Sequence, residues 1–91
     1  KKAGLTGVTV GNWLCIKYLW VSEELRGQGI GSQLLTSAEN ESIKRGAKYS
    51  FVDTFSFQAL EFYKKHEYEE VFSLFEYPYT GSRHYFIKRL K

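Results

Sequence analysis

"LRGQGIGSQLL", residues 25–35, places three glycines on alternate positions, with an arginine before them and helical apolar spacing behind. Glycine is among the poorest helix formers, so three at the mouth of a helix need a reason. A helix N-terminus offers unpaired N–H groups and a partial positive charge. Without side chains at Gly27, Gly29 and Gly31, an anion can touch that backbone directly, and Arg26 adds a fixed charge at the rim. Phosphate is the natural ligand of such a loop. The competing explanation is a tight turn with close packing of helix on sheet, and spacing alone leaves both open. The P-loop pattern fails because no Lys-Ser/Thr pair follows Gly31. The dinucleotide pattern G-x-G-x-x-G fails because these glycines run G-x-G-x-G.

Outward from the loop, Ile30, Leu34, Leu35, Ala38 and, more loosely, Ile43 keep helical spacing, with Gln33, Ser37, Asn40, Glu41 and Lys44 on the far face. Gly46 is a helix stop. Upstream, "LTGVTV" (5–10) alternates like a strand, "GN" (11–12) signals a turn, and "WLCIKYLWV" (13–21) reads as a second strand. Lys17 is that strand's one charge and is expected on a solvent-facing side. Downstream, "KYSFVDTF" (48–55) reads as a third strand. Ser56 can cap a helix "FQALEFYKKH" whose apolar face is Leu60, Phe62 and Tyr63 with Ala59 beside it. "EEVFSLFEY" (69–77), the turn "PYTGS" (78–82) and "RHYFIKRL" (83–90) form a closing hairpin. The order is β-β-α-β-α-β-β. A helical crossover makes strands two and three parallel neighbours while the hairpins are antiparallel. The expected fold is α+β with a mixed, mainly antiparallel sheet.

Ninety-one residues make a single domain, 1–91. Aromatics are 18% of the chain and help so short a sequence build a core, which still leans on a ligand or partner subunit. A net charge of +3, with basic residues scattered rather than gathered, argues against nucleic acid as a partner. No apolar run approaches the ~18 residues of a membrane span, no signal peptide is recognised and no metal-ligand motif appears. Cys15 has no internal disulfide partner and is expected to be a buried reduced thiol, which suits a cytoplasmic protein.

"RGQGIG" matches R/Q-x-x-G-x-G/A through Arg26, Gly29 and Gly31, "LWV" precedes it, and "ALEFYKKHEY" is similar to A-x-x-F-Y-x-K-x-G-F. With these landmarks in order over residues 5–90, the sequence resembles the GCN5-related N-acetyltransferases (GNAT). The resemblance implies a site. The strand before the signature splays from its parallel neighbour, and acetyl-CoA lies in the opening. The pantetheine arm pairs with Leu19, Trp20 and Val21, and the pyrophosphate sits on backbone N–H groups of Arg26, Gly27, Gln28, Gly29, Ile30 and Gly31. Ser32 adds a hydroxyl, Val21 N–H polarises the thioester carbonyl, and Tyr63 supplies a proton to the departing thiolate. The acceptor is a primary amine of a small molecule or peptide. No metal is implied.

The general base is not evident. Asp53 and His84 are minor candidates, and Glu23 and Glu24 are expected to be solvated. Ser56 stands where the family often has Asn, so a contact to CoA is shortened or lost. Glu67 replaces the glycine of "GF", at about 1 kcal/mol if that residue needs φ > 0. The family usually has a strand, two helices and another strand ahead of the equivalent of Leu5, and those helices wall the acceptor pocket. The given sequence does not include them. A second subunit could supply a wall, and a homodimer would also cover the first strand's open edge. The other function these departures leave open is a non-catalytic CoA-binding module or truncated remnant.

Overall fold

A computed structural model describes residues 2–54 and 57–90 of the chain. The elements are β1 (Ala3–Val10), β2 (Trp13–Val21), a 3-10 turn (Glu23–Leu25), α1 (Ile30–Lys44), β3 (Tyr49–Thr54), α2 (Phe57–Lys65), β4 (Glu69–Phe75) and β5 (Ser82–Arg89). The five strands form one sheet in the order β1-β2-β3-β5-β4. Only β2 and β3 run parallel; the other three pairings are antiparallel. The element order, the parallel pair and the α+β class agree with the sequence reading. β1 starts two residues before the expected Leu5 because Ala3 faces Val21, the last residue of β2.

The core is one cluster of Leu14, Ile16, Leu35, Val52, Tyr63, Tyr68 and Phe86. Leu35 comes from α1 and Tyr63 from α2, so both helices cover the same sheet face. Ala38, Ala59, Leu60 and Phe62 pack around them. On the other face, rings meet in pairs: Trp13 on Tyr49 at 4.8 Å and Phe51 on Tyr85 at 5.9 Å between centroids. Cys15 is half-buried rather than buried.

The expected polar face of α1 is exposed throughout, but its buried face is more polar than its spacing predicts. Glu39 and Ser42 are buried beside Leu35. Ser42 Oγ donates to the Glu39 carbonyl at 2.8 Å, which satisfies the hydroxyl within its own helix. The Glu39 carboxylate is paired by side chains from other elements, described below.

At the end of α2 the chain makes a Schellman turn. Glu67 N–H donates to the Lys64 carbonyl at 3.0 Å and Tyr68 N–H to the Tyr63 carbonyl at 2.9 Å. Glu67 is the left-handed residue, with φ +70°. The turn brings the Tyr68 ring to 5.5 Å from that of Tyr63.

Candidate functional site

The site begins where β2 leaves β3. Their pairing runs from Trp13↔Tyr49 to Ile16↔Val52 and stops. On the other side of β2, Thr6 faces Tyr18 and Gly7 faces Ile16, which leaves Lys17 as an extra residue. Lys17 and Tyr18 are both exposed, consecutive residues on one side of a strand. That is a β-bulge, and a bulge bends the strand that carries it. Beyond it a cavity of about 720 Å³ opens. Leu19, Trp20 and Val21 line one wall, Val52, Asp53 and Thr54 the other, and Phe62 and Tyr63 reach in from α2.

The backbone of that first wall is half available. Ser22 N–H donates across to the Lys2 carbonyl at 2.7 Å. Antiparallel ladders alternate, so Trp20, facing Gly4, forms the next bonded pair with β1. Leu19 and Val21 therefore turn their backbone groups toward the cavity. The Val21 carbonyl accepts from Arg26 Nε at 3.1 Å, and its N–H stays open. Trp20, expected among the residues whose backbone pairs with the ligand, turns its backbone groups toward β1, and its indole lies over Gly4, where an added Cβ would be 2.5 Å from Cη2.

The three glycines occupy two kinds of position. Gly27 and Gly29 have φ of +82° and +76°, the left-handed region where side chains are strained. Gly31 is a close approach: a Cβ there would lie 3.4 Å from the Phe62 ring and 3.6 Å from Val21 Cγ2. Above Gly27 and Gly29 an added Cβ would meet nothing within 4 Å, so the loop is open to a ligand. Arg26 N–H is already committed to the Glu23 carbonyl at 3.3 Å, and the first helical N–H to find a carbonyl is that of Gln33, on Gly29 at 3.0 Å. Among the described residues, the N–H groups of Gly27, Gln28, Gly29, Ile30, Gly31 and Ser32 have no backbone acceptor. Those six form a cradle, shifted by one residue from the Arg26–Gly31 span expected. Gln28 ties its side chain back to the Glu24 carbonyl at 3.3 Å. These features fit a diphosphate joined to an amide-bearing arm.

Tyr63 is 5% exposed and packs against Phe62, Tyr68 and Phe86. Its hydroxyl makes no hydrogen bond among the described residues, although Tyr63 lines the cavity. Burial, and secondarily the Asp53 carboxylate, push its pKa up to about 12. The phenol thus stays protonated across physiological pH.

Both base candidates have partners. Asp53 Oδ2 accepts from Arg83 Nε at 2.7 Å and Nη2 at 2.6 Å, and Arg83 also reaches the Tyr77 hydroxyl at 3.4 Å. His84 Nδ1 is 2.6 Å from Glu70, and Nε2 is 2.8 Å from Ser82 Oγ. These two partners lie on the β4 side of the sheet or on β5 itself, and His84 is not among the cavity's lining residues. Glu23 and Glu24 are exposed as expected, with Glu24 3.0 Å from Lys2. Ser56, read as a helix cap and a CoA contact, lies outside the described residues. His66, unremarked in the sequence, stands 2.8 Å from Ser32 Oγ. No sequence signal beyond its residue type marks it. Among the described residues no group of three His, Cys, Asp or Glu could hold a metal ion. Among the described residues no helix is long and apolar enough to cross a membrane.

A sheet split at a bulge, with an open amide cradle beyond the split, has the unpaired backbone groups that a phosphate-bearing, amide-rich ligand requires. The chain belongs to the GNAT acetyltransferases: residues 2–70 match the acetyltransferase (GNAT) domain family. It is 41% identical over 71 residues to acetyltransferase Atu2258 of Agrobacterium fabrum, covering 78% of this chain and 52% of that protein. It is 36% identical over 88 residues to the blasticidin-S acetyltransferase of Streptomyces morookaense, covering 96% and 65%. The chain thus spans between half and two thirds of these relatives' lengths. A crystal structure of an acetyltransferase from Bacillus cereus superposes with a TM-score of 0.90 at 43% identity, over 97% of this chain and 63% of that one. The fold alone is shared with a Bacillus anthracis protein crystallised with acetyl coenzyme A, at a TM-score of 0.84 and 17% identity, over 93% and 53%.

Proposed function

We propose that this chain forms the acetyl-CoA-binding part of an N-acetyltransferase acting on a primary amine of a small molecule or peptide. The observation that carries this reading is the opening of β2 from β3 after Ile16↔Val52, with six unbonded N–H groups beyond it. Leu19 and Val21 pair with the amides of the pantetheine arm, and Val21 N–H polarises the thioester carbonyl. The cradle and Arg26 hold the diphosphate. Tyr63, protonated and unbonded, gives its proton to the thiolate as the neutral amine displaces it, and the proton shed by the amine nitrogen passes to solvent, from which the phenoxide is reprotonated. The blasticidin-S relative supports a small-molecule acceptor. The unpaired Cys15 suits a reducing, cytoplasmic setting. β1 and β4 form the two edges of the sheet, and a homodimer covering one of them is part of the proposal. A sedimentation series that stays monomeric at all concentrations removes that part.

Calorimetry with acetyl-CoA tests the reading. Gly29→Asn and Gly29→Asp both tolerate the left-handed backbone, but only the second sets a negative charge over the cradle. Loss of binding in Gly29→Asp well beyond that in Gly29→Asn is expected, and equal binding by all three proteins removes the loop from the argument. Because Asp53 and His84 are already paired, a CoA-binding module without turnover is the second reading. Tyr63→Phe separates the two. In an enzyme it lowers kcat by about 100-fold with little change in acetyl-CoA affinity, whereas the module shows no turnover on any amine panel.

A further inference from the structure

We infer that His66 is a positioning residue of the diphosphate cradle, acting through the Ser32 hydroxyl, and that its protonation tightens binding of the CoA diphosphate. The inference rests on the function proposed above and concerns how that same site is tuned.

Two helix ends meet at this corner. Ser32 is the third residue of α1, so its own N–H belongs to the cradle. Its Oγ is 2.8 Å from His66 Nε2. His66 follows the last residue of α2, with its N–H on the Phe62 and Tyr63 carbonyls at 3.3 and 3.1 Å. Its ring rests on Phe62 at 4.8 Å, and the Phe62 ring in turn lies against Gly31. The imidazole is therefore held from two sides. A hollow of about 330 Å³ lined by Ser32, Gln33, Thr36 and Ser37 leaves the serine accessible to a ligand.

The proton inventory sets the behaviour. The neutral ring is assigned the tautomer protonated on Nδ1, whose bare Nε2 can only accept, so Ser32 gives it the hydroxyl proton. That proton is then unavailable to a phosphate oxygen. When both ring nitrogens carry protons, Nε2–H donates to Ser32 Oγ, and the serine proton is free to turn toward the cradle. The same event places a positive charge behind it. Histidine is the side chain that changes charge between pH 5 and 8.

The groups that share the corner do not oppose this. The ring contacts, Ser32 and Phe62, carry no charge, and the first turn of α1 holds no acid. Lys64 and Lys65 lie in the last turn of α2, Glu67 follows His66, and Arg26 stands on the loop before α1.

The test is calorimetry with 3′-dephospho-coenzyme A at about pH 5.5 and about pH 8. This probe keeps the diphosphate but has no phosphate monoester, which would itself titrate near pH 6. The wild-type chain should bind about five- to tenfold tighter at the lower pH, the net effect of one hydrogen bond. His66→Gln, which can still hydrogen-bond Ser32, and Ser32→Ala should each bind with little pH dependence. Circular dichroism establishes that each variant is folded. Wild-type binding that is flat with pH, or an equal pH dependence in His66→Gln, overturns the inference and leaves the acetyl-CoA reading intact. No binding of the probe by wild type at either pH, with acetyl-CoA still bound, overturns this inference alone, and no binding of acetyl-CoA either overturns that reading with it.

Discussion

The Tyr68 hydroxyl lies 2.9 Å from Glu39 Oε2 and 2.7 Å from Ser50 Oγ, inside the sheet–helix interface. With one proton to give, the phenol donates to the carboxylate and accepts from the serine. Lys88 Nζ completes the group, at 3.1 and 3.2 Å from the two Glu39 oxygens. The cluster joins α1, β3, β5 and the turn after α2, and Tyr68 carries it to the ring of Tyr63.

An ion pair in this setting is expensive to break from one side and cheap to replace whole. Lys88→Met leaves the Glu39 carboxylate buried without its cation and should cost about 2–3 kcal/mol. The double change Glu39→Leu with Lys88→Met should fall within about 1 kcal/mol of wild type, since Ser50 can still take the Tyr68 proton. Urea unfolding of the full cycle measures both. A double variant as unstable as the single one would show that packing, not charge, holds this layer.

Buried phenols make the fold sensitive to alkali. Burial first, then Asp53, raises Tyr63 from 10.0 to about 12, and burial raises Tyr68 further. Below pH 10 both states keep their protons and nothing is lost. Between about 10 and 12 the unfolded phenol ionises while the folded one does not, so stability falls as pH rises and levels off for Tyr63 above about 12. The loss assigned to Tyr63 is about 3 kcal/mol. Thermal melts from pH 8 upward should show the decline starting near pH 10, and shallower in Tyr63→Phe. A melting temperature that is the same at pH 8 and pH 11 would contradict it.

The left-handed Glu67 is a stabilisation left unused. Its φ of +70° strains any residue with a Cβ, and the turn it closes sets Tyr68 against Tyr63. Glu67→Gly removes about 1–2 kcal/mol of strain and returns part of it as unfolded-chain entropy. A net gain of about 0.5–1 kcal/mol is expected in urea unfolding with an unchanged slope. Glu67→Ala keeps the Cβ and should gain nothing.

Most of the fold was legible because its signals are local. The alternation at 5–10, the turn at 11–12 and the helix stop at Gly46 each lie within a few residues. The need for φ > 0 at position 67 was also readable, since a landmark glycine was replaced there. The Glu39–Lys88 pair was not, because its partners stand 49 residues apart and meet only when β5 enters beside β3. A signal for the bulge was present in the sequence. Leu14 and Ile16 are two apart, Leu19 and Val21 are two apart, but Ile16 and Leu19 are three apart, so the strand's period slips at Lys17–Tyr18. The slip marks where the cavity opens.

That slip can be removed. Deleting Lys17 joins Ile16 to Tyr18, and the faces still alternate correctly: Ile16 in, Tyr18 out, Leu19 in, Trp20 out. Thr6 then faces Tyr18 and Gly7 faces Ile16 with nothing extra between them, as the present register already requires on either side of the bulge. Without the added residue the strand loses its bend. β2 can continue along β3, closing Leu19 and Val21 against the backbone beyond Val52 that now faces the cavity. The shortened chain should therefore melt at or above the wild-type temperature while losing acetyl-CoA binding in calorimetry by more than about tenfold, since the arm's edge is no longer open. Retained affinity in a folded deletion variant would mean that the bulge does not hold the cleft open.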